Sequence, residues 1–258
     1  MTDTPEQYLA RILELARPVE SETVPLYRAL GRFLAEDVIA PWPVPNFDNS
    51  AMDGYAVRAS DAVAGARLRV IGDAPAGATC VPAVKPGTAV RIMTGAPVPP
   101  GADAVVKVED TDQAPGPHPL PERVEIRAAV APGLSVRRAG EDVAAGDPVM
   151  ASGTRLSAAA ISALASVGLG SVLVSPQVRV AVVSTGAELR DAGQALEPGT
   201  IPDSNSLLLA GLVAEHGAVC TSVARSGEQA IEAARARRPD LLLLDMHLGD
   251  MSGFDVTA

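Results

Sequence analysis

A few short segments carry most of the side chains able to do chemistry. The first is Pro45-Asn46-Phe47-Asp48-Asn49-Ser50-Ala51-Met52-Asp53-Gly54-Tyr55-Ala56-Val57. Asp48 and Asp53 offer hard oxygen atoms of the kind magnesium takes, and Gly54 lets a second backbone approach closely. The other reading of the same composition is an Asx-rich turn that caps a helix or strand. Arg137 and Arg138 bear forked guanidinium donors suited to tetrahedral oxyanions, although an isolated Arg-Arg is ordinarily a solvated surface pair. Ser184-Thr185-Gly186 ends an apolar run, and Glu188 follows it. Asp203 and Asn205 are either ligand groups or the N-cap of a following helix.

These residues need elements to hold them. Thr4-Pro5-Glu6-Gln7 reads as a helix start, with Thr4 capping, Pro5 in the first turn and Gln7 reaching back. Tyr8, Leu9, Ile12, Leu13 and Ala16 continue at helical spacing. A second amphipathic segment holds Leu26, Ala29, Leu30, Phe33 and Leu34, and the run Pro41-Trp42-Pro43-Val44-Pro45 then forces extended chain. Between Asp48 and Val136 the pattern changes to short β-like runs at Leu68–Ile71, Ala89–Met93, Ala104–Val108 and Val124–Ile126, separated by glycine and proline. A hydrophobic helix from Ser157 to Val167 is stopped by Gly168.

From Val178 onward, strands alternate with helices. Val178–Val183 suits a strand covered on both faces, and Asn205–His216 suits a helix closed by Gly217. A strand at Val219–Val223, a helix at Glu228–Arg237 and a strand at Leu241–Leu244 follow. This alternation predicts a parallel, three-layer sheet with ligand sites beyond the strands' carboxyl ends, where Ser184-Thr185-Gly186 falls. The expected class is therefore multidomain α/β. Residues 1–47 and 137–175 form a mixed α/β linker-type domain, 48–136 an inserted β-rich domain, and 176–258 a truncated parallel α/β domain.

Bulk properties narrow the partners. Thirty-one acidic against 21 basic residues give a formal net charge of −10, which argues against a broad nucleic-acid footprint. Cys80 and Cys220 lie far apart, with no zinc spacing and no disulfide framework. The acidic N-terminus lacks the pattern of a signal peptide, and the apolar runs fall short of the roughly 20 residues that span a bilayer. The expectation is a cytoplasmic protein with neither nucleic-acid nor membrane partner. His118 and His216 read as a loop residue and a helix-terminal residue.

The first segment resembles the signature of the molybdopterin molybdenumtransferases, the family of bacterial MoeA proteins and the gephyrin E domain. Further similar segments follow in order: Gly31–Asp37, Arg91-Ile92-Met93-Thr94-Gly95-Ala96-Pro97-Val98-Pro99, Arg137–Asp142, Val183–Leu189 and Asp203-Ser204-Asn205. The likeness runs from about residue 5 to about residue 218. It implies insertion of molybdate into adenylated molybdopterin with release of AMP, helped by Mg2+, in a homodimer supplied by a molybdopterin adenylyltransferase. By that resemblance Asp53, Asp142 and Glu188 form the metal and pyrophosphate environment. Arg137, Arg138 and Thr94, with the backbone of Gly95, bind molybdate or phosphate oxygens. Ser184, Thr185, Gly186, Asp203 and Asn205 contact substrate. Ala139 and Ala187 stand where many relatives carry an arginine and an aspartate.

After about Ala218 the likeness changes. Arg225-Ser226-Gly227-Glu228 stands where the family has an acidic pair, and no glycine-rich loop follows Leu244. The expectation is a chain that stops before its pterin-binding half is complete, inactive alone or retained as a scaffold. Residues 220–258 resemble part of a two-component receiver domain, which would make Asp245 a phosphoacceptor; the alternative is that Asp245 merely starts a turn. A working receiver also needs an acidic pair and a late lysine, whereas only Glu188 follows the equivalent strand and no lysine follows Lys107. His247, beside Asp245, reads as a solvated loop residue.

Overall fold

Short apolar runs broken by glycine and proline favour sheet over helix, and in the middle of the chain they assemble into five strands. In the computed structural model, which describes residues 4–15, 20–186 and 188–244, their spatial order is Ala104–Lys107, Gly54–Val57, Thr88–Ile92, Arg67–Ala74 and Arg123–Glu125. All neighbours are antiparallel except Thr88–Ile92 with Arg67–Ala74, which run parallel. Alternate side chains feed two cores. Tyr55, Val57, Leu68, Val106, Val124 and Ile126 fill one, and Ala56, Val90, Ile92 and Val105 fill the other. Strand Gly54–Val57 is thus buried throughout its length. A Cβ at position 54 would sit 2.0 Å from the Val106 carbonyl oxygen, so only glycine fits there.

This sheet belongs to one of two compact units, comprising Asp37–Ala151 and Ser162–Gly170. The chain enters and leaves the sheet region through a short antiparallel pair, Asn49–Ser50 against Val136–Arg137. Val38–Ile39 pairs with Pro148–Met150 in the same unit, and Val44 bridges Val143. Trp42 packs over Gly168, where a Cβ would meet its ring at 2.5 Å.

The other unit takes in Met1–Glu36, Ser152–Ile161 and Ser171–Ala258. Its helix Pro5–Leu15 begins with the capping box read from the sequence: Thr4 N donates to Gln7 Oε1 at 2.9 Å and Gln7 N to Thr4 Oγ1 at 3.3 Å. The amphipathic segment after Pro25 is not an α-helix. Glu22–Pro25 is a strand paired with Ser171–Val174, and Leu26–Arg28 makes one 3-10 turn. Gly31, at φ +77°, then turns the chain, and the Leu34 amide bonds the Thr154 carbonyl. The apolar spacing survives because Leu26, Ala29 and Leu34 are buried, but a neighbouring strand rather than a helical turn satisfies the backbone.

A three-stranded parallel sheet lies in the same unit, in the order Val219–Ala224, Arg179–Val183, Leu241–Leu244. Val180, Ala181, Val182 and Val183 are all buried, as expected for a central strand covered on both faces. Helices Asn205–Glu215 and Gly227–Arg237 pack on it. The first is closed by Gly217 at φ +79°; the second starts on Ser226, whose Oγ accepts from Gln229 N, and ends at Arg238 in the left-handed region. An ion pair between Arg179 and Asp240 joins the starts of two strands. Helix Ala158–Ser166 starts on Ser157, which accepts from Ala160 N at 3.1 Å, and Gly168 follows it at φ +90°. No helix among the described residues is long and apolar enough to cross a membrane.

Candidate functional site

In the unit that holds the five-stranded sheet, the turn at 48–53 is clamped from two sides. Asn49 pairs with Arg137 in the short ladder and also bridges Pro97. The Ser50 amide donates to the Ala96 carbonyl at 3.0 Å, and the Gly95 amide returns a bond to the Ser50 carbonyl at 2.8 Å. Asn49 and Ser50 are buried, and Asn49 Nδ2 closes the turn by donating to the Phe47 carbonyl. Three stretches far apart in sequence therefore meet: 48–53, 93–97 and 136–142.

On that frame Asp53 Oδ1 accepts two bonds from Thr94, one from the amide at 2.7 Å and one from the hydroxyl at 2.9 Å. Asp53 Oδ2 has no partner among the described residues and faces solvent. Arg138 Nη1 donates to Asp48 Oδ2 at 2.5 Å, and the Ala139 amide donates to Asp48 Oδ1 at 2.8 Å. Those bonds, the backbone one first, hold the Asp48 carboxyl below the ordinary aspartate range. Arg137 Nη2 meets Asp142 Oδ1 at 2.6 Å, and Glu141 Oε2 accepts from the Arg138 amide at 3.0 Å. Both arginine pairs are exposed, and exposed ion pairs are typically worth only 0 to about 1 kcal/mol, so an incoming oxyanion can compete for either guanidinium.

The second unit gathers a separate polar group at the carboxyl ends of its strands. Ser184, just after Arg179–Val183, donates from Oγ to Asp203 Oδ1 at 3.3 Å, and its amide bonds the Ala224 carbonyl. Asp203 is only 3% exposed and also accepts from the Ser206 amide at 3.0 Å and from the Ser206 hydroxyl. Burial works to raise its carboxyl, but the bonds from Ser206 and Ser184 and the nearby Arg225 prevail and hold it below the ordinary range. Asp203 thus holds the first turn of Asn205–Glu215 from one residue before its N-cap, Ser204, by accepting the Ser206 amide, while Asn205 is exposed at the helix start. Thr185 is buried, and the Glu188 carboxylate folds over Gly186, where a Cβ would lie 2.6 Å from Glu188 Oε2.

Asp53, Thr94, Arg137, Arg138 and Asp142 belong to the first of these units; Ser184, Thr185, Gly186, Glu188, Asp203 and Asn205 belong to the second. Among the described residues no three His, Cys, Asp or Glu side chains form a metal-holding group. Asp245 and His247, like Ala187, lie outside the described residues. Asp48, read from the sequence as a hard oxygen ligand, instead holds Arg138. One residue enters without having been proposed for the site: Arg225, at the end of Val219–Ala224, joins Asp191 and reaches 3.8 Å from Asp203. The strand-end position of Arg225 was the available signal, because ligands of parallel sheets gather there.

Comparisons with known proteins place the chain in a family. The family described as MoeA N-terminal region (domain I and II) matches residues 4–168. Molybdopterin molybdenumtransferase 2 of Mycobacterium tuberculosis is 44% identical over 229 residues, covering 86% of this chain and 54% of that protein. The molybdopterin molybdenumtransferase of Haemophilus influenzae is 41% identical over 205 residues, covering 78% and 49%. A crystal structure of the molybdopterin biosynthesis moeA protein from Pyrococcus horikoshii OT3 is similar at a TM-score of 0.76 and 30% identity, over 92% of this chain and 64% of that one. The chain spans about half the length of the curated relatives it matches.

Proposed function

The chain belongs to the MoeA family, and from that premise we propose that it serves molybdenum cofactor biosynthesis as a molybdopterin molybdenumtransferase. The reaction is insertion of molybdate into adenylated molybdopterin with release of AMP. One observation carries the reading: three distant stretches converge so that the Asp53–Thr94 pair and the arginine loop share one frame.

The chemistry asked of these residues follows from the substrates. Molybdate is a tetrahedral dianion and the adenylated pterin carries a pyrophosphate, so forked guanidinium donors are the appropriate receptors. Arg137 and Arg138 take that role, exchanging their exposed carboxylate partners for substrate oxygens. Thr94 fixes Asp53 so that its unpartnered oxygen keeps one direction. Ser184, Thr185 and Gly186, at the carboxyl end of a buried parallel strand, bind phosphate or pterin atoms, and buried Asp203 fixes the Ser184 hydroxyl.

Magnesium fits this donor set. The ion ordinarily takes one or two carboxylates together with substrate phosphates and water rather than an all-protein cage. Asp53 with its unpartnered Oδ2 and Asp142, both in the unit of the five-stranded sheet, are the carboxylates that would hold it. When bound it would offset the negative charge of the pyrophosphate.

Self-association accompanies the reading. Helix Pro5–Leu15 exposes Tyr8, Leu9, Ile12 and Leu13, an apolar face of the kind a second copy would cover in a homodimer. A molybdopterin adenylyltransferase is the enzyme class that supplies the substrate, and the cytoplasm is where it would do so.

The test is complementation of a strain lacking molybdenum insertion, paired with an assay of AMP release from adenylated molybdopterin. Release that depends on both molybdate and magnesium is the expected result. No release from well-folded protein, and no growth rescue, would overturn the assignment.

A further inference from the structure

Beside Asp53, a cavity of about 470 Å3 opens at one end of the β unit's larger core. Tyr55 and Arg91 are cross-strand partners, so their side chains stand on the same face. Tyr55 is fully buried and lines the cavity, yet its hydroxyl has no hydrogen-bond partner among the described residues. A buried phenol without a partner is rare enough in native proteins to call for a missing one.

The rest of the lining says what that partner can be. Arg91 is already neutralised: its Nε and Nη2 engage both oxygens of Asp73, and Nη1 holds the His118 carbonyl at 2.7 Å. Asp53 and Glu109 add carboxylates, and Glu109 has no partner among the described residues. The cavity therefore carries excess negative charge and no spare cation, which disfavours a phosphate or any other anion. Met93, Val108 and Pro117 supply apolar walls suited to a π face. His118 Nδ1 lies 3.0 Å from the Pro119 carbonyl; since a carbonyl only accepts, that nitrogen carries the proton.

The geometry points to a subsite for the flat, uncharged ring of an amino-substituted nitrogen heterocycle. Its N–H edge donates to Glu109, and a ring acceptor receives the Tyr55 hydroxyl. The assignment rests on the proposed function insofar as adenylated molybdopterin has two such rings, the pterin and the adenine, and either could supply this edge.

The experiment titrates the whole chain with free pterin, followed by its fluorescence, and with adenosine, followed by calorimetry. The tighter binder identifies which end of the substrate enters. Tyr55→Phe and Glu109→Gln should each weaken that binding about tenfold. Circular dichroism checks the fold of Tyr55→Phe, and the exposed Glu109→Gln decides the matter if Tyr55→Phe misfolds. Binding of neither ring, or unchanged affinity in the folded variants, overturns the assignment. AMP release by the unaltered chain separates the two ideas. Ring binding without release would sink the proposed function and keep the subsite, whereas normal release with indifferent variants would do the reverse.

Discussion

Asp53 and Thr94 meet through a single carboxylate oxygen. Both the amide and the hydroxyl of Thr94 donate to Asp53 Oδ1, from 41 residues further along the chain. The consequence is directional: one oxygen is saturated and the other is left toward solvent. A carboxylate held this way loses little freedom when it takes a cation or a substrate proton, and such preorganisation is worth rate rather than stability.

Thr94→Val should separate those two quantities. The substitution keeps the amide bond and the branched shape but deletes the hydroxyl, and a hydrogen bond to a charged group is worth roughly 1.5–3 kcal/mol. A fall of at least about tenfold in kcat for AMP release is expected, with KM little changed and Thr94→Ser retaining most of the rate. The urea midpoint should move by no more than about 0.5 kcal/mol equivalent, because the pair is exposed. A drop in stability with kcat preserved would mean that Thr94 is only a structural tie.

Gly54→Ala tests the sheet beneath that pair. The added methyl would lie 2.0 Å from the Val106 carbonyl oxygen, in backbone that five strands hold fixed. Overpacking a tight site usually costs 1–3 kcal/mol, and here a strand must separate from its neighbour. A loss of about 3 kcal/mol or more in urea unfolding is expected, or insoluble protein. Full stability would show that the Gly54–Val57 and Ala104–Lys107 pairing is not as close as described.

Much of this was legible in the chain because it is local. The capping box at Thr4 and Gln7, the glycine stops at Gly168 and Gly217, and the buried run at Arg179–Val183 all follow from neighbours a few residues apart. The Leu26–Leu34 spacing misled for a physical reason. Burial of Leu26, Ala29 and Leu34 gives a helix-like period, yet Gly31 breaks the turn and the Thr154 carbonyl takes the Leu34 amide. The site was legible only in part. Which carboxylate meets which arginine depends on tertiary pairing, as with Asp48 and Arg138, 90 residues apart. The orphan hydroxyl of Tyr55 has no sequence signature at all, since a strand tyrosine normally reads as core.

Asp203 gives a prediction in pH. Its folded-state carboxyl lies below the ordinary aspartate value of about 3.9, so it stabilises the fold at higher pH. That contribution is fully present above the unfolded value and is lost as pH falls through the folded one. Asp203→Asn keeps an oxygen to accept the Ser206 amide but removes the charge that these donors favour, so it should be less stable at neutral pH by about 1 kcal/mol, the difference between a hydrogen bond to a charged acceptor and one to a neutral acceptor. Its stability should also fall less steeply than the parent's below about pH 4. Parallel pH profiles for the two proteins would show that Ser206, Ser184 and Arg225 do not bias the carboxyl.

Arg138 offers the sharpest test of the oxyanion role, because its two plausible duties respond differently to substitution. If its work is to hold Asp48, the pair is exposed and Arg138→Ala should cost only 0 to about 1 kcal/mol of stability. If its work is to receive molybdate or phosphate oxygens, Arg138→Lys should fail as well, since an ammonium keeps the charge but lacks the planar fork. We expect the KM for molybdate to rise about tenfold or more in both variants, corresponding to roughly 1.4 kcal/mol of lost binding. Raising the salt concentration should weaken molybdate binding more in the parent than in Arg138→Ala, because screening acts on a charge the variant no longer has. A lysine variant indistinguishable from the parent would leave Arg138 a surface charge and move the oxyanion role to Arg137 alone.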